Sequence, residues 1–337
     1  MQRLLALLAA FCLAACAPSA MKELPIQELP QIPDAAYAKG VSAPFCGLLD
    51  GQLVVAGGAN FPDKSLLDGG AKRVYRDIWA FDGTAWHHAG LLPDSTAYGA
   101  TFTLPGQLLF AGGNVCGTTT ARIVALTAQG IQPAGELPFP VEQAGATQDG
   151  EVLYLVGGTQ GAPVLRCREG RWEEISQLPQ PLVQPVAHVA GGKLYVWGGF
   201  HPETLLAPSE GYCLDLESLQ WSPAPAIPDE GTFVGATGVR LPDGRLLVVG
   251  GVNKAVFERA LRNTPEDRIP YLSQDPAWYR FRSQVYLFDG NAWQLLGESP
   301  LAALAGPGVA ADALRVYVSG GEIKPGVRSP RTFSFPY

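Results

Sequence analysis

The chain has 337 residues, 47% of them apolar and 16% charged, with a formal net charge of −7. That acidity argues against nucleic acid as a partner, and 40 Gly with 29 Pro argue against an architecture of long helices. The apolar share is ample for a core, and closed all-β architectures reach this length as a single unit.

In chain order, Arg3 is followed by an apolar run from Leu4 to Leu13 that is too short to span a bilayer. Residues 1–15 therefore read as a secretory signal. Leu13-Ala14-Ala15-Cys16 resembles the bacterial lipobox, in which cleavage precedes the cysteine and its sulfur is acylated. This implies an exported lipoprotein, periplasmic or outer-membrane anchored, that touches the membrane through its lipid only. Residues 16–23 read as the lipidated tether and 24–337 as the folded body. Four cysteines remain there, Cys46, Cys116, Cys167 and Cys213, and the sequence does not choose among their pairings.

Gly-Gly then recurs at 57–58, 112–113, 157–158, 198–199, 250–251 and 320–321, each time closing an apolar, β-branched run such as LVVAGG or VYVSGG. A second landmark keeps the same beat. An apolar or aromatic residue stands seven positions before a proline in Trp86/Pro93, Ile131/Pro138, Trp172/Pro179, Trp221/Pro228 and Trp293/Pro300, and once near the N-terminus as Ile26/Pro33. Between the landmarks lie Asp-Gly, Gly-Gly, Pro-Gly and Glu-Gly turns, so each unit reads as a four-stranded antiparallel meander. Self-similarity at this spacing is a propeller signature, and the pattern resembles kelch repeats. The predicted fold is all-β, a six-bladed kelch-type β-propeller. After Gly320-Gly321 the chain supplies only one more strand, around 332–335, so the N-terminal segment 24–33 is predicted to complete the last blade and close the ring.

In such a meander the loop after each Gly-Gly lies opposite the tight turns, and here those loops are long and varied, over 59–76, 114–122, 159–163, 200–210, 252–283 and 322–331. Loops of this kind carry function on a rigid scaffold. They hold 14 of the 24 basic residues against nine acids, a balance of +5 on an acidic protein, which points to an anionic ligand. Within 252–283, Asp275 before Pro276 suits a helix N-cap followed by its first position, so a helical insertion is predicted, with Phe257, Tyr271, Trp278, Tyr279 and Phe281 as packing residues.

The last loop, SGGEIKPGVR at 319–328, carries the candidate chemistry. Glu322 is a potential general base or acid if burial tunes it, and Lys324 and Arg328 are anion binders, the Arg with a planar fork that matches a carboxylate. A plain Glu-to-Arg salt bridge is the competing reading. The four histidines are too scattered for a metal cluster, and neither GxSxG nor HExxH occurs.

SGGEIKPGVR is similar to the GEAKPG-x-R segment of the N-acetylneuraminate epimerase family, six-bladed kelch-type mutarotases of free sialic acid. GGVNKAVFE at 250–258 is similar to a GGVN segment that precedes it there. GGANFPD at 57–63, KRVYRDIWAFDGTAWHHAG at 72–90 and AYGATF at 97–102 resemble later segments of that family, so the blade order is rotated, as in its cyclically permuted branch. A ring has no intrinsic first blade, and rotation can preserve a site. The resemblance implies Glu322 and Arg328 as catalytic residues, Lys324, Arg73, Asn60 and Asn253 as substrate-binding residues, sialic acid as substrate and no cofactor. The family's Arg before Ala-Tyr-Gly is Thr96 here, and its Gly-His pair is replaced around Gly235-Ala236. The alternative function is a non-catalytic glycan-binding lipoprotein, which would need the cations but not Glu322.

Overall fold

The computed structural model describes residues 22–337, so the leader, the lipobox and Cys16 lie outside the described residues. The chain folds into six four-stranded antiparallel sheets. Sheet 1 comprises Phe45–Leu49, Gln52–Ala56, Asp77–Phe81 and Trp86–Leu91. Sheet 2 comprises Ala100–Leu104, Gln107–Ala111, Arg122–Thr127 and Gly130–Glu136. Sheet 3 takes Gly145–Asp149, Val152–Val156, Pro163–Arg168 and Arg171–Gln177. Sheet 4 takes Val183–Ala190, Lys193–Phe200, Gly211–Asp215 and Trp221–Ala224. Sheet 5 is Ala236–Arg240, Leu246–Gly250, Gln284–Phe288 and Trp293–Glu298. In sheet 6 the order is Gly308–Ala311, Arg315–Ser319, Thr332–Pro336 and then Gln27–Leu29 from the other end of the chain.

The sheets are separate, and no hydrogen-bonded sheet among the described residues runs around the molecule. What joins them is apolar packing. One cluster, around Val54, Ile78, Leu108 and Phe110, lies between sheets 1 and 2, and others lie between each following pair. The sixth, with Val55, Trp79 and Ala310, sits between sheets 6 and 1. This architecture of six separate four-stranded sheets joined by cyclic apolar packing fits a β-propeller.

Close sheet-to-sheet approach explains the Gly-Gly repeat. Gly57 has φ +65°, and a Cβ there would stand 2.2 Å from the carbonyl oxygen of Thr96 on the way into sheet 2. Gly320, with φ +68°, meets the carbonyl of Val41 ahead of sheet 1 at 2.3 Å. Only glycine fits both the torsion and the gap.

The predicted N-terminal strand is shorter than 24–33, covering Gln27–Leu29, with Gln27 opposite Ser334 and Leu29 opposite Thr332. Tertiary contacts hold the flanks instead. Leu24 is buried and donates its N–H to the Glu298 carbonyl at 2.9 Å, and the Trp86 indole donates to the Pro30 carbonyl at 2.7 Å.

The insertion contains helix α1 (Lys254–Ala260), helix α2 (Arg268–Leu272) and 3₁₀ turns at Pro265–Asp267 and Pro276–Tyr279. Asp275 does precede the last of these, but as a 3₁₀ turn without a side-chain cap bond. All four body cysteines are free thiols; Cys46, Cys167 and Cys213 are buried and Cys116 is exposed. No helix among the described residues is long and apolar enough to cross a membrane.

Candidate active site

At one end of the sheet assembly the first strand of every sheet begins from a residue with a left-handed backbone. These are Ala43, Tyr98, Gln143, Gln184, Gly235 and Gly306, with φ between +52° and +70°. Their backbones are linked in sequence. Ala43 donates to Gly306 at 2.7 Å, Tyr98 to Ala43 at 3.0 Å, Gln143 to Tyr98 at 2.9 Å, Gln184 to Gln143 at 2.8 Å and Gly306 to Gly235 at 2.7 Å. These residues form a collar around a cavity of about 490 Å³. Small residues such as Gly99, Ala100, Gly145 and Gly308 line it and leave the space open, and the insertion roofs it with Phe257, Tyr271, Tyr279 and Phe281.

Glu322 is the only carboxylate among the described residues lining this cavity, and no Lys, Arg or His lines it. A small hairpin puts it there. Glu322–Lys324 pairs with Val327–Arg328, and the Glu322 backbone is pinned to Ala305 by bonds of 2.7 and 2.8 Å in both directions. Gly326, with φ +81°, closes the hairpin and donates its N–H to Glu322 Oε1 at 2.5 Å. Arg328 Nη1 donates to the same oxygen at 2.9 Å. Oε2 has no bond to the described residues. The Arg328 side chain is 3% exposed, and its Nε donates to the Ala59 carbonyl at 3.3 Å. Its guanidinium lies over the ring of Phe61, 5.2 Å from the centroid.

Burial pushes the Glu322 carboxyl above its usual range. Arg328, the Gly326 N–H and Lys72 pull it back and do not cancel the rise. A carboxylate with one oxygen anchored and a raised proton affinity can take and return a proton.

The other predicted residues are distributed as follows. Arg328 lies behind Glu322 rather than on the cavity wall. Lys324 turns away from the cavity and donates to the carbonyls of Leu272 and Gln274 at 3.1 and 2.6 Å, tying the end of α2 to the hairpin. Asn60 is buried with its amide saturated, donating to Ala36 and Gly40 and accepting from the Tyr75 hydroxyl. Arg73, opposite Asn60 in a two-residue ladder, is exposed and paired with Asp63 at 3.3 Å. Asn253 reaches the cavity, while its Oδ1 caps α1 by accepting from the Val256 N–H at 3.1 Å.

Several cations of the loop face are likewise engaged. Arg122 pairs with Asp94, Arg282 with Asp229 and Arg331 with Glu28. Sequence reasoning took Tyr271 as a packing residue and did not single out Tyr98. Tyr98 sits inside the AYGATF segment, but nothing in a sequence marks its backbone as left-handed. Among the described residues no cluster of His, Cys, Asp and Glu could hold a metal ion.

The family model for N-acetylneuraminate epimerase matches residues 133–335. Among curated relatives, the N-acetylneuraminate epimerase of Yersinia pestis (strain Pestoides F) is 28% identical over 216 residues, 58% of this chain and 55% of that protein. That of Brucella melitensis biotype 1 is 29% identical over 223 residues, 58% and 56% of the two chains. The chain thus spans about half the length of the curated relatives it matches. A solved structure titled "Structure of YjhT" is similar in fold, with a TM-score of 0.54 at 21% identity over 60% of this chain and 63% of that one. With the family model matched over more than half of its length, the chain belongs to the N-acetylneuraminate epimerase family.

Proposed function

We propose that this protein is a mutarotase that interconverts the α and β anomers of N-acetylneuraminate by acid/base-assisted ring opening. The observation that carries this is Glu322, a lone carboxylate on the wall of an otherwise uncharged cavity, with its proton affinity raised by burial. A volume of about 490 Å³ lies within the range of small-molecule sites. Glu322 takes the proton of the anomeric hydroxyl, the ring C–O bond opens, and the exposed carbonyl recloses from its other face. General acid/base assistance is worth about 10²–10⁴-fold, which suffices for a reaction that already proceeds unaided.

Arg328 then acts by holding Glu322 in place, since its own guanidinium is enclosed. The substrate carboxylate falls to Lys72, whose ammonium bonds the cavity-lining Tyr98 at 3.0 Å and lowers the proton affinity of Glu322. For the scaffold we propose six blades closed into a ring by the N-terminal strand, which the cyclic order of apolar clusters supports. A rotated blade order would also account for a linear match confined to 133–335. The lipobox at Cys16 supports export and lipid anchoring.

The test is anomer exchange of N-acetylneuraminate followed by NMR, with the wild-type protein beside Glu322→Gln. Acceleration that vanishes in the variant is the expected result. Sialic acid binding without acceleration would make the protein a binder, and neither would discard the substrate.

A further inference from the structure

Ring opening needs a second proton, delivered to the ring oxygen as the C–O bond breaks. The residue that delivers it must reach the cavity, carry a proton not committed to the protein, and tolerate the charge left behind. Three tyrosines line the cavity, Tyr98, Tyr271 and Tyr279, and the first two have such a hydroxyl.

Tyr271, on α2, lines the roof, and no group among the described residues hydrogen-bonds its hydroxyl. Burial, Tyr279 and Glu322 push it up to about 12. Facing a carboxylate in an apolar setting, it keeps its proton and serves as a neutral donor to a bound hydroxyl. Tyr279 is excluded, because its own hydroxyl is spent on the Tyr271 carbonyl.

Tyr98 stands in the opposite setting. The Lys72 ammonium donates to its phenolic oxygen at 3.0 Å and lies 5.0 Å from the ring centroid. Because Lys72 has no acceptor to offer, the Tyr98 O–H proton is left free, and a cation is in place to neutralise the oxygen once the proton departs. Among the six collar residues Tyr98 is the only one with an ionisable side chain.

We infer that Tyr98 is the second proton-transfer residue of the mutarotase reaction, with Lys72 as its positioning residue. The inference rests on the functional reading above. The anomeric hydroxyl gives its proton to Glu322 and becomes the carbonyl. The electron pair of the breaking ring C–O bond stays on the ring oxygen, which takes the proton of Tyr98. On closure the ring hydroxyl attacks the other face of the carbonyl, returns its proton to the Tyr98 phenolate, and the carbonyl oxygen recovers the proton held by Glu322. Carboxylate and ring oxygen are substituents of the same anomeric carbon, so neighbouring Lys72 and Tyr98 can meet both.

The experiment is NMR anomer exchange of N-acetylneuraminate with the wild-type protein, Tyr98→Phe, Tyr271→Phe, Lys72→Met and Lys72→Arg, each checked by thermal melting. Tyr98→Phe is expected to lower kcat by about 10²–10⁴-fold with KM within about threefold and melting unchanged. Tyr271→Phe is expected to raise KM with kcat largely kept, because it removes a binding contact alone. Lys72→Met should lower kcat by a smaller factor, and Lys72→Arg should recover most of it. A Tyr98→Phe variant as fast as an active wild type would overturn the assignment, as would the reverse split between the two tyrosines. Should Tyr98→Phe melt early, loss in Lys72→Met with recovery in Lys72→Arg supports the assignment, and unchanged kcat in Lys72→Met overturns it. An inactive wild-type protein sinks the mutarotase reading itself, and the assignment with it.

Discussion

Glu322 and Arg328 share one hydrogen bond of 2.9 Å, yet they face different surroundings, the carboxylate 23% exposed toward the cavity and the guanidinium 3% exposed behind it. Only the ionised carboxylate can act as a base, and burial raises its proton affinity. Activity should therefore fall on acidification from a pH above the ordinary glutamate value of 4.5, read as the acid limb of kcat/KM. Because the raised affinity belongs to the folded state, Glu322 favours folding most at low pH, and that contribution is lost as pH rises through its folded value. Arg328→Ala removes the largest of the influences that lower it, so the acid limb should move to still higher pH. The same change leaves a part-buried carboxylate with only the Gly326 N–H and should cost about 1–3 kcal/mol by denaturant titration. An Arg328→Ala protein with an unmoved acid limb would separate the pair electrostatically. The sequence already placed a base and a cation six residues apart. It could not show that the cation would be enclosed, because its covers, Phe61 and the Ala59 carbonyl, come from the other end of the chain.

At the scale of elements, the hairpin and the roof depend on each other. Lys324 joins them through the Leu272 and Gln274 carbonyls. Lys324→Met should leave global stability within about 1 kcal/mol, while amide exchange across 268–279 accelerates and KM rises as the roof loosens. Unchanged exchange there would make the contact dispensable. In the hairpin turn, Gly326→Ala meets both a left-handed φ and the Leu66 Cβ 2.5 Å away, so it should destabilise by about 1–2 kcal/mol and weaken activity by shifting the N–H that holds Glu322. A helical insertion was legible within 252–283, but the Asp275-Pro276 step that suggested it starts only a 3₁₀ turn, and α1 and α2 lie before it. The role of Lys324 was not legible, because its acceptors lie some fifty residues away in sequence.

For the whole molecule, the N-terminal segment is the piece that joins three sheets. Leu24 packs in the cluster of sheets 5 and 6, Gln27–Leu29 pairs with the last strand, and Pro30 accepts from Trp86 of sheet 1. Deleting residues 22–33 should cost at least about 3 kcal/mol, from the loss of one fully buried leucine, several half-buried apolar side chains and a strand of ladder bonds. A truncated protein that melts at the full-length temperature would show that the fold does not need this strand.

The sequence by itself determined the six four-stranded units and the loop that carries Glu322. These follow from local rules: alternation of apolar residues, turn residues with positive φ, and glycine where neighbouring sheets crowd. The family too was readable, because the SGGEIKPGVR and GGVN segments are contiguous. Only the tertiary structure decided which of the loop charges stay free, since an arginine's partner is set by which loops meet around the cavity rather than by spacing along the chain. It alone brought Tyr98, Lys72 and Tyr271 into the neighbourhood of Glu322. Those residues come from three different stretches, and only the convergence of the sheets at one collar puts them in one place.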